Sequence, residues 1–192
     1  MTPPPFWRRL AYSAANVAGW TSVFVFLLDH VGSVAAVDGR SMQPTLNPDS
    51  NGLARDLLLL NKRVLGHQHW RRGDVVTLRS PINPETVVAK RILALEDDFV
   101  ISDPRSRFVG RSGMVPGQSS PRAIWIEGDA GMHSRDSNEY GPVPLGLLTA
   151  RVAAIVWPPE RVAWVERHER ASSRTAVVTR EAVRGAGGTV VF

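Results

Sequence analysis

The chain has 192 residues, of which 43% are hydrophobic, enough for one domain of ordinary size with a packed core and too apolar for a disordered chain. It has no cysteine, which removes disulfides, thiolate metal sites and cysteine nucleophiles from consideration. The net charge is +5, but all except two of the 23 basic residues are arginines scattered along the chain, so a basic surface is expected and a nucleic-acid partner is not.

Residues 1–9 (MTPPPFWRR) are a short Pro-rich segment. Leu10 to Leu28 then runs 19 residues without a charge. As a helix this stretch spans ~28 Å, close to a hydrocarbon core of ~30 Å. Residues 10–28 are therefore read as a transmembrane anchor, moderated by Ser13, Asn16, Thr21 and Ser22. Arg8 and Arg9 precede it and Asp29 follows, which keeps the short N-terminus on the positive-retaining side and sends the remaining chain across. The competing readings are a buried helix and a cleaved targeting segment, for which Ser33–Ala35 (SVA) offers small residues.

From residue 34 to 165 the pattern changes to short β-type runs: SVAAV, LLLLN (57–61), DVVTLRS (74–80), TVVAKRILALE (86–96), FVIS (99–102), AIWIEG (123–128) and LLTARVAAIVW (147–157). Turn residues in RRGD, SPINP, EDD and YGPVP separate them. Many short strands without amphipathic helices between them predict a mainly β, antiparallel domain. Asp103 to Pro121 reads as a loop or insertion, and the tail 171–192 reads as flexible, with a short strand at its end.

Three stretches could carry chemistry. A serine, Ser41, stands in VDGRSMQPTLNP, but a hydroxyl is a poor nucleophile until a base takes its proton. Histidine is the usual base. His67 and His69 (HQH) resemble a metal pair without further ligands at a recognisable spacing, and read as a surface loop. His133, beside SRDS, is the one histidine in a site-like stretch, and a triad assembled in space stays open. GQSSP (117–121) lacks the second glycine and the strand–turn–helix context of a nucleophile elbow. A lysine offers another base, provided that burial keeps it neutral. Lys90 lies in the apolar run TVVAKRILAL, on the same face as Val88, Ile92 and Ala94, with Arg91 on the other; an exposed edge-strand lysine is the bland alternative. The third stretch, EGDAGMHSRDSNEYGPVP (127–144), has the composition of a turn-rich surface loop.

Taken together and in this order, SMQPTL (41–46), RGDVVTL (72–78), KRILALEDD (90–98) and GDAGMHSRDSNEYGPVP (128–144) resemble the signal peptidase I family of serine–lysine endopeptidases. GRSMQPTLNP, SPINPE, DSNEYGPVPLGLL and WPPERV are most similar to its mitochondrial inner membrane branch. The resemblance covers 34 to 162 and implies a signal-peptidase-like antiparallel β catalytic domain. It implies Ser41 as nucleophile and Lys90 as general base. Ser134 would orient the lysine amine, Asp136 would stiffen the site, and Asp129 would be the aspartate of the GD turn. Met42 would pack beside the substrate strand, and Arg91 would be a structural arginine beside the base. In two places the chain departs from many bacterial relatives. Gly39 replaces a serine that helps to bind the oxyanion, leaving that task to backbone N–H groups. Asn138 replaces the arginine of a DSR triplet, which removes a possible ion pair with Asp136. Implied further are precursor proteins as substrates, with sorting peptides removed in the mitochondrial intermembrane space, and no cofactor or metal. A second protease subunit, of the subunit 1 type, is the implied partner. The other readings are a bacterial or ER-type signal peptidase, a self-cleaving repressor on the same scaffold, and a non-catalytic supporting subunit.

Overall fold

The computed structural model describes residues 5–48, 55–67, 69–102, 113–114, 122–168 and 174–179. Helix α1, Phe6–His30, includes the whole predicted anchor and buries none of its side chains. An 18-residue window within it has a mean hydropathy of 1.4, so the helix is long and apolar enough to cross a membrane. Its serines do not leave polar groups stranded. The hydroxyls of Ser13 and Ser22 donate to the carbonyls of Arg9 and Ala18 one turn back. At the C-terminal end, Lys62 Nζ donates to the Leu28 carbonyl at 2.9 Å, placing a cation on the negative end of the helix dipole.

Eleven strands follow among the described residues: β1 (Gly32–Ala36), β2 (Leu57–Asn61), β3 (Val75–Arg79), β4 (Val87–Ala94), β5 (Phe99–Ser102), β6 (Gly113–Met114), β7 (Ala123–Glu127), β8 (Val143–Pro144), β9 (Leu148–Trp157), β10 (Ala163–Trp164) and β11 (Thr175–Val178). The two further α-helices are short, α2 (Arg63–His67) and α3 (Ser137–Tyr140). The main sheet is antiparallel throughout, in the order β1-β2-β9-β3-β4-β7-β8 with β10 paired to β9. β11, β5 and β6 form a second, three-stranded sheet. The mainly β, antiparallel architecture expected from the sequence is what is found, and all seven strand-like runs are strands.

The central strands β3, β4 and β7 are covered on both faces, which explains their runs without alternation. In β3, Val75 to Leu78 are all buried. Val75 joins a core with Met42, Leu46, Leu58, Ala150 and Val152. Val76 and Leu78 join a second core with Trp70, Ile92, Ile124, Ile126 and Val143. β4 sits between these cores: Val88 and Ile92 pack into the second, Ala89 against the first. Lys90 shares the face of Val88 and Ile92, as alternation predicts, but Arg91 is buried as well, because the opposite face is also covered.

The two-residue strands β6, β8 and β10 are too short to leave a pattern in sequence. The tail expected to be flexible holds β11, antiparallel to β5 with Thr175 opposite Ser102; its other residues lie outside the described ones, except for Arg174 and Thr179. So does most of the predicted loop 103–121.

Candidate active site

Ser41 is half-buried on a tight turn between β1 and β2. Met42 and Leu46 anchor this turn in the first core. Thus Met42, expected beside a substrate strand, is 2% exposed and serves the packing under Ser41. Polar contacts hold the remainder. The Asn47 side chain donates to the Val37 carbonyl and accepts from the Asp56 N–H, while its own backbone N–H donates to the Asp56 carboxylate. Arg161, in WPPERV, donates to both Asp56 (3.0 Å) and the Thr45 carbonyl (3.2 Å). Gly39 has φ +91°, a conformation that L side chains rarely adopt, and its N–H donates to Asp38 Oδ1 at 2.9 Å.

Lys90 lies opposite Val76 on β4 and is 3% exposed. Its Nζ donates to Ser134 Oγ at 2.9 Å. Burial lowers its pKa from 10.5 to about 8, because a charge removed from water is disfavoured. Asp136 opposes that shift, Arg174 reinforces it, and Asp129 opposes it more weakly.

The loop after β7 brings these pieces together. The Ala130 N–H donates to the Ser41 carbonyl at 3.0 Å. A side chain on Gly128 would collide with both that carbonyl and Ser134 Oγ, so only glycine lets the Ser41 turn and Ser134 approach so closely. The Ser41 carbonyl and Ser134, 93 residues apart in sequence, therefore approach each other at one glycine, and Ser134 in turn accepts from Lys90.

Two buried carboxylates brace the loop. Asp129 takes a two-pronged bond from Arg91, with Nε to Oδ1 at 2.8 Å and a terminal nitrogen to Oδ2 at 2.7 Å. It also accepts from the Thr45 hydroxyl, while Arg91 donates to the Gly73 carbonyl (2.9 Å) and Thr45 Oγ1 (3.2 Å). Arg91 thus joins the base strand, the loop before β3 and the Ser41 turn. Asp136 accepts from the Gly128 N–H at 3.1 Å, from the backbone and side chain of Asn138 (each 3.2 Å) and from Arg174 at 2.7 Å. The ion pair that Asn138 cannot make is therefore supplied by Arg174, from the tail. His133 is exposed, and His69 is exposed in the loop before Trp70.

A buried lysine of lowered pKa bonded to Ser134 thus lies in the same region as the half-buried Ser41 turn. A sequence model described as signal peptidase, peptidase S26, matches residues 9–105. The chain belongs to that family. Its known relatives agree. It is 40% identical over 171 residues to mitochondrial inner membrane protease subunit 2 of Schizosaccharomyces pombe, covering 86% of this chain and 89% of the relative. It is 46% identical over 158 residues to the same subunit of Mus musculus, covering 81% and 85%. Mouse subunit 1 is more distant, 33% identical over 156 residues, covering 79% and 87%. As a member of the signal peptidase family the chain is a peptidase, and its apolar α1 precedes the β domain.

Sequence reasoning missed several contributors to this site. Gly128 and Thr45 lie inside the family-like motifs and Arg161 within WPPERV, but nothing in the sequence marks what they do. Asn47 and Asp56 become visible only once the turn is folded. Glu127 opens the stretch 127–144 with no role of its own, and Arg174 lies outside every motif.

Proposed function

We propose that the protein is a membrane-anchored serine endopeptidase in which Ser41 is the nucleophile and Lys90 its general base, removing sorting peptides from precursor proteins in the mitochondrial intermembrane space. The observation that carries this is the Lys90 amine: buried, with a pKa lowered to about 8, and bonded to Ser134 beside the Ser41 turn. An exposed His133 offers no comparable base. With that pKa, about a tenth of Lys90 is neutral at pH 7, against about one part in 3,000 for an ordinary lysine.

The neutral amine takes the Ser41 proton as Oγ attacks the substrate carbonyl. The resulting ammonium gives that proton to the departing amine, leaving an acyl-serine. The same lysine then removes a proton from water, which attacks the ester, and returns it to Ser41 as the acid leaves. Ser134 keeps the amine aimed during both halves. With glycine at 39, the developing oxyanion falls to backbone donors that include the Ser41 N–H. β1, which leads into the Ser41 turn, is an edge strand of the main sheet, so an extended substrate segment can add beside it.

The relatives' names and the charges flanking α1 support the proposed location. Both subunit 1 and subunit 2 of the mitochondrial inner membrane protease match this chain, which favours a two-subunit enzyme there over a bacterial or ER-type peptidase. With Arg8 and Arg9 before the span, charge bias favours an N-terminus in the matrix and a β domain in the intermembrane space. Ser33–Ala35 are paired with Leu58–Leu60, so cleavage after Ala35 would split β1; this favours a retained anchor. Both chemical groups are present, which disfavours a purely supporting subunit. The test is cleavage of a precursor by full-length protein, with and without a subunit 1 relative, comparing Ser41→Ala and Lys90→Ala. Each substitution is expected to abolish processing of this protein's own substrates while the protein stays folded. Wild-type processing by either variant would refute the dyad.

A further inference from the structure

We propose that Arg174, carried on the tail just before β11, is a positioning residue of the peptidase site: it pins Asp136 and Glu127 from outside the catalytic loop and keeps a positive charge facing the Lys90 amine. The inference rests on the serine–lysine reading above. Arg174 donates to Asp136 Oδ2 at 2.7 Å and to Glu127 Oε2 at 3.3 Å. It also lies against Gly131, where a Cβ would stand 3.0 Å from its Nε.

Its neighbour completes the clamp. Thr175, 4% exposed, donates to Glu127 Oε1 and lies 3.2 Å from Asn138 Oδ1, while the Asn138 amide donates to Glu127 (2.8 Å) and Asp136 (3.2 Å). The pairing of β11 with β5 fixes where Arg174 enters. Five side chains, two of them from the tail, thus build a buried polar cluster behind the loop that holds Ser134. Asp136 passes this order on through the Gly128 N–H at 3.1 Å, at the glycine where Ser134 and the Ser41 carbonyl meet.

Charge gives the second consequence. The charged groups facing Lys90 are Asp136 and Asp129, which stabilise its ammonium form, and Arg174, which opposes it. Asp136 is bonded to Arg174, and Asp129 to Arg91. Removing Arg174 takes away a nearby cation and also releases the Asp136 carboxylate to act on Lys90. Both changes favour the protonated, inactive amine. The acid limb of the rate profile must therefore move to higher pH.

The experiment measures kcat/KM against pH for full-length protein in detergent, with any subunit that co-purifies, for wild type, Arg174→Gln and Arg174→Lys. Arg174→Gln is expected to shift the acid limb upward by about one pH unit, a loss of roughly tenfold at pH 7 that is recovered at high pH. Arg174→Lys keeps the cation and is expected to leave the limb in place. A uniform loss at every pH, or no change, would overturn the inference and leave Arg174 as ordinary packing. If Arg174→Gln does not fold, Arg174→His is prepared below about pH 6, where the imidazole carries a charge, and assayed above about pH 7, where it does not; a raised acid limb supports the inference and a limb at the wild-type position rejects it. Active Ser41→Ala or Lys90→Ala controls would instead refute the underlying dyad, so the two failures are distinct.

Discussion

Lys90 is held where its charged form is least welcome, and this leaves a thermodynamic mark as well as a kinetic one. Its pKa is about 8 in the fold and 10.5 as an ordinary lysine. Between these values the unfolded chain binds more protons than the native one, so stability rises with pH across that window. Below pH 8 the full penalty of burying the ammonium is present, and above 10.5 it is gone. Lys90→Met is therefore expected to gain stability relative to wild type at pH 7, with the gap closing between pH 8 and 10.5. Thermal unfolding of both proteins across that range checks the sign, and a gap independent of pH would contradict it. Gly39 makes the opposite kind of point. Its φ of +91° disfavours any side chain, so Gly39→Ser is expected to cost about 1 kcal/mol of stability without raising kcat. A faster Gly39→Ser enzyme would mean that the turn tolerates the serine of bacterial relatives as an oxyanion donor.

The elements that carry the site are braced by a buried arginine–aspartate pair, Arg91–Asp129, and by a partly buried one, Arg174–Asp136. Arg91 reaches Asp129, Gly73 and Thr45 from the middle of β4, so one side chain ties three segments together. Asp129→Ala leaves Arg91 buried without its carboxylate, and a loss of about 3–5 kcal/mol in unfolding free energy is expected. A loss below 1 kcal/mol would show that the pair is incidental. The strands were legible in the sequence because Val, Ile and Leu cluster in short runs bounded by turn residues. Their two-sided burial was less so: in VVAKRILA the alternation places Lys90 and Arg91 on opposite faces, and only the fold reveals a core on each side. β11 and the entry of Arg174 beside Asp136 had no periodicity to announce them. The departure at Asn138 pointed to a missing ion pair, yet nothing in the tail's composition said which residue would take its place.

On the scale of the whole molecule, an unburied 25-residue helix is joined directly to β1, which leads into the Ser41 turn. The protein is therefore expected to resist extraction by alkaline carbonate, and protease added outside mitoplasts should digest the β domain but spare the N-terminus. Digestion only after the inner membrane is opened would reverse the topology. The order of the four motifs was legible in the sequence, and the resemblance implied that they converge; the role of Gly128 in that convergence was not legible. The Ser41 turn and Ser134 are far apart in the chain, and Gly128 lets them approach by having no side chain. The measurement that bears most directly on the dyad is mass spectrometry of the full-length protein quenched during turnover of a slowly hydrolysed peptide ester at pH 8. An acyl adduct is expected on Ser41 in the wild type and none with Lys90→Ala. An adduct on another residue, or equal acylation of Ser41 without Lys90, would contradict the dyad.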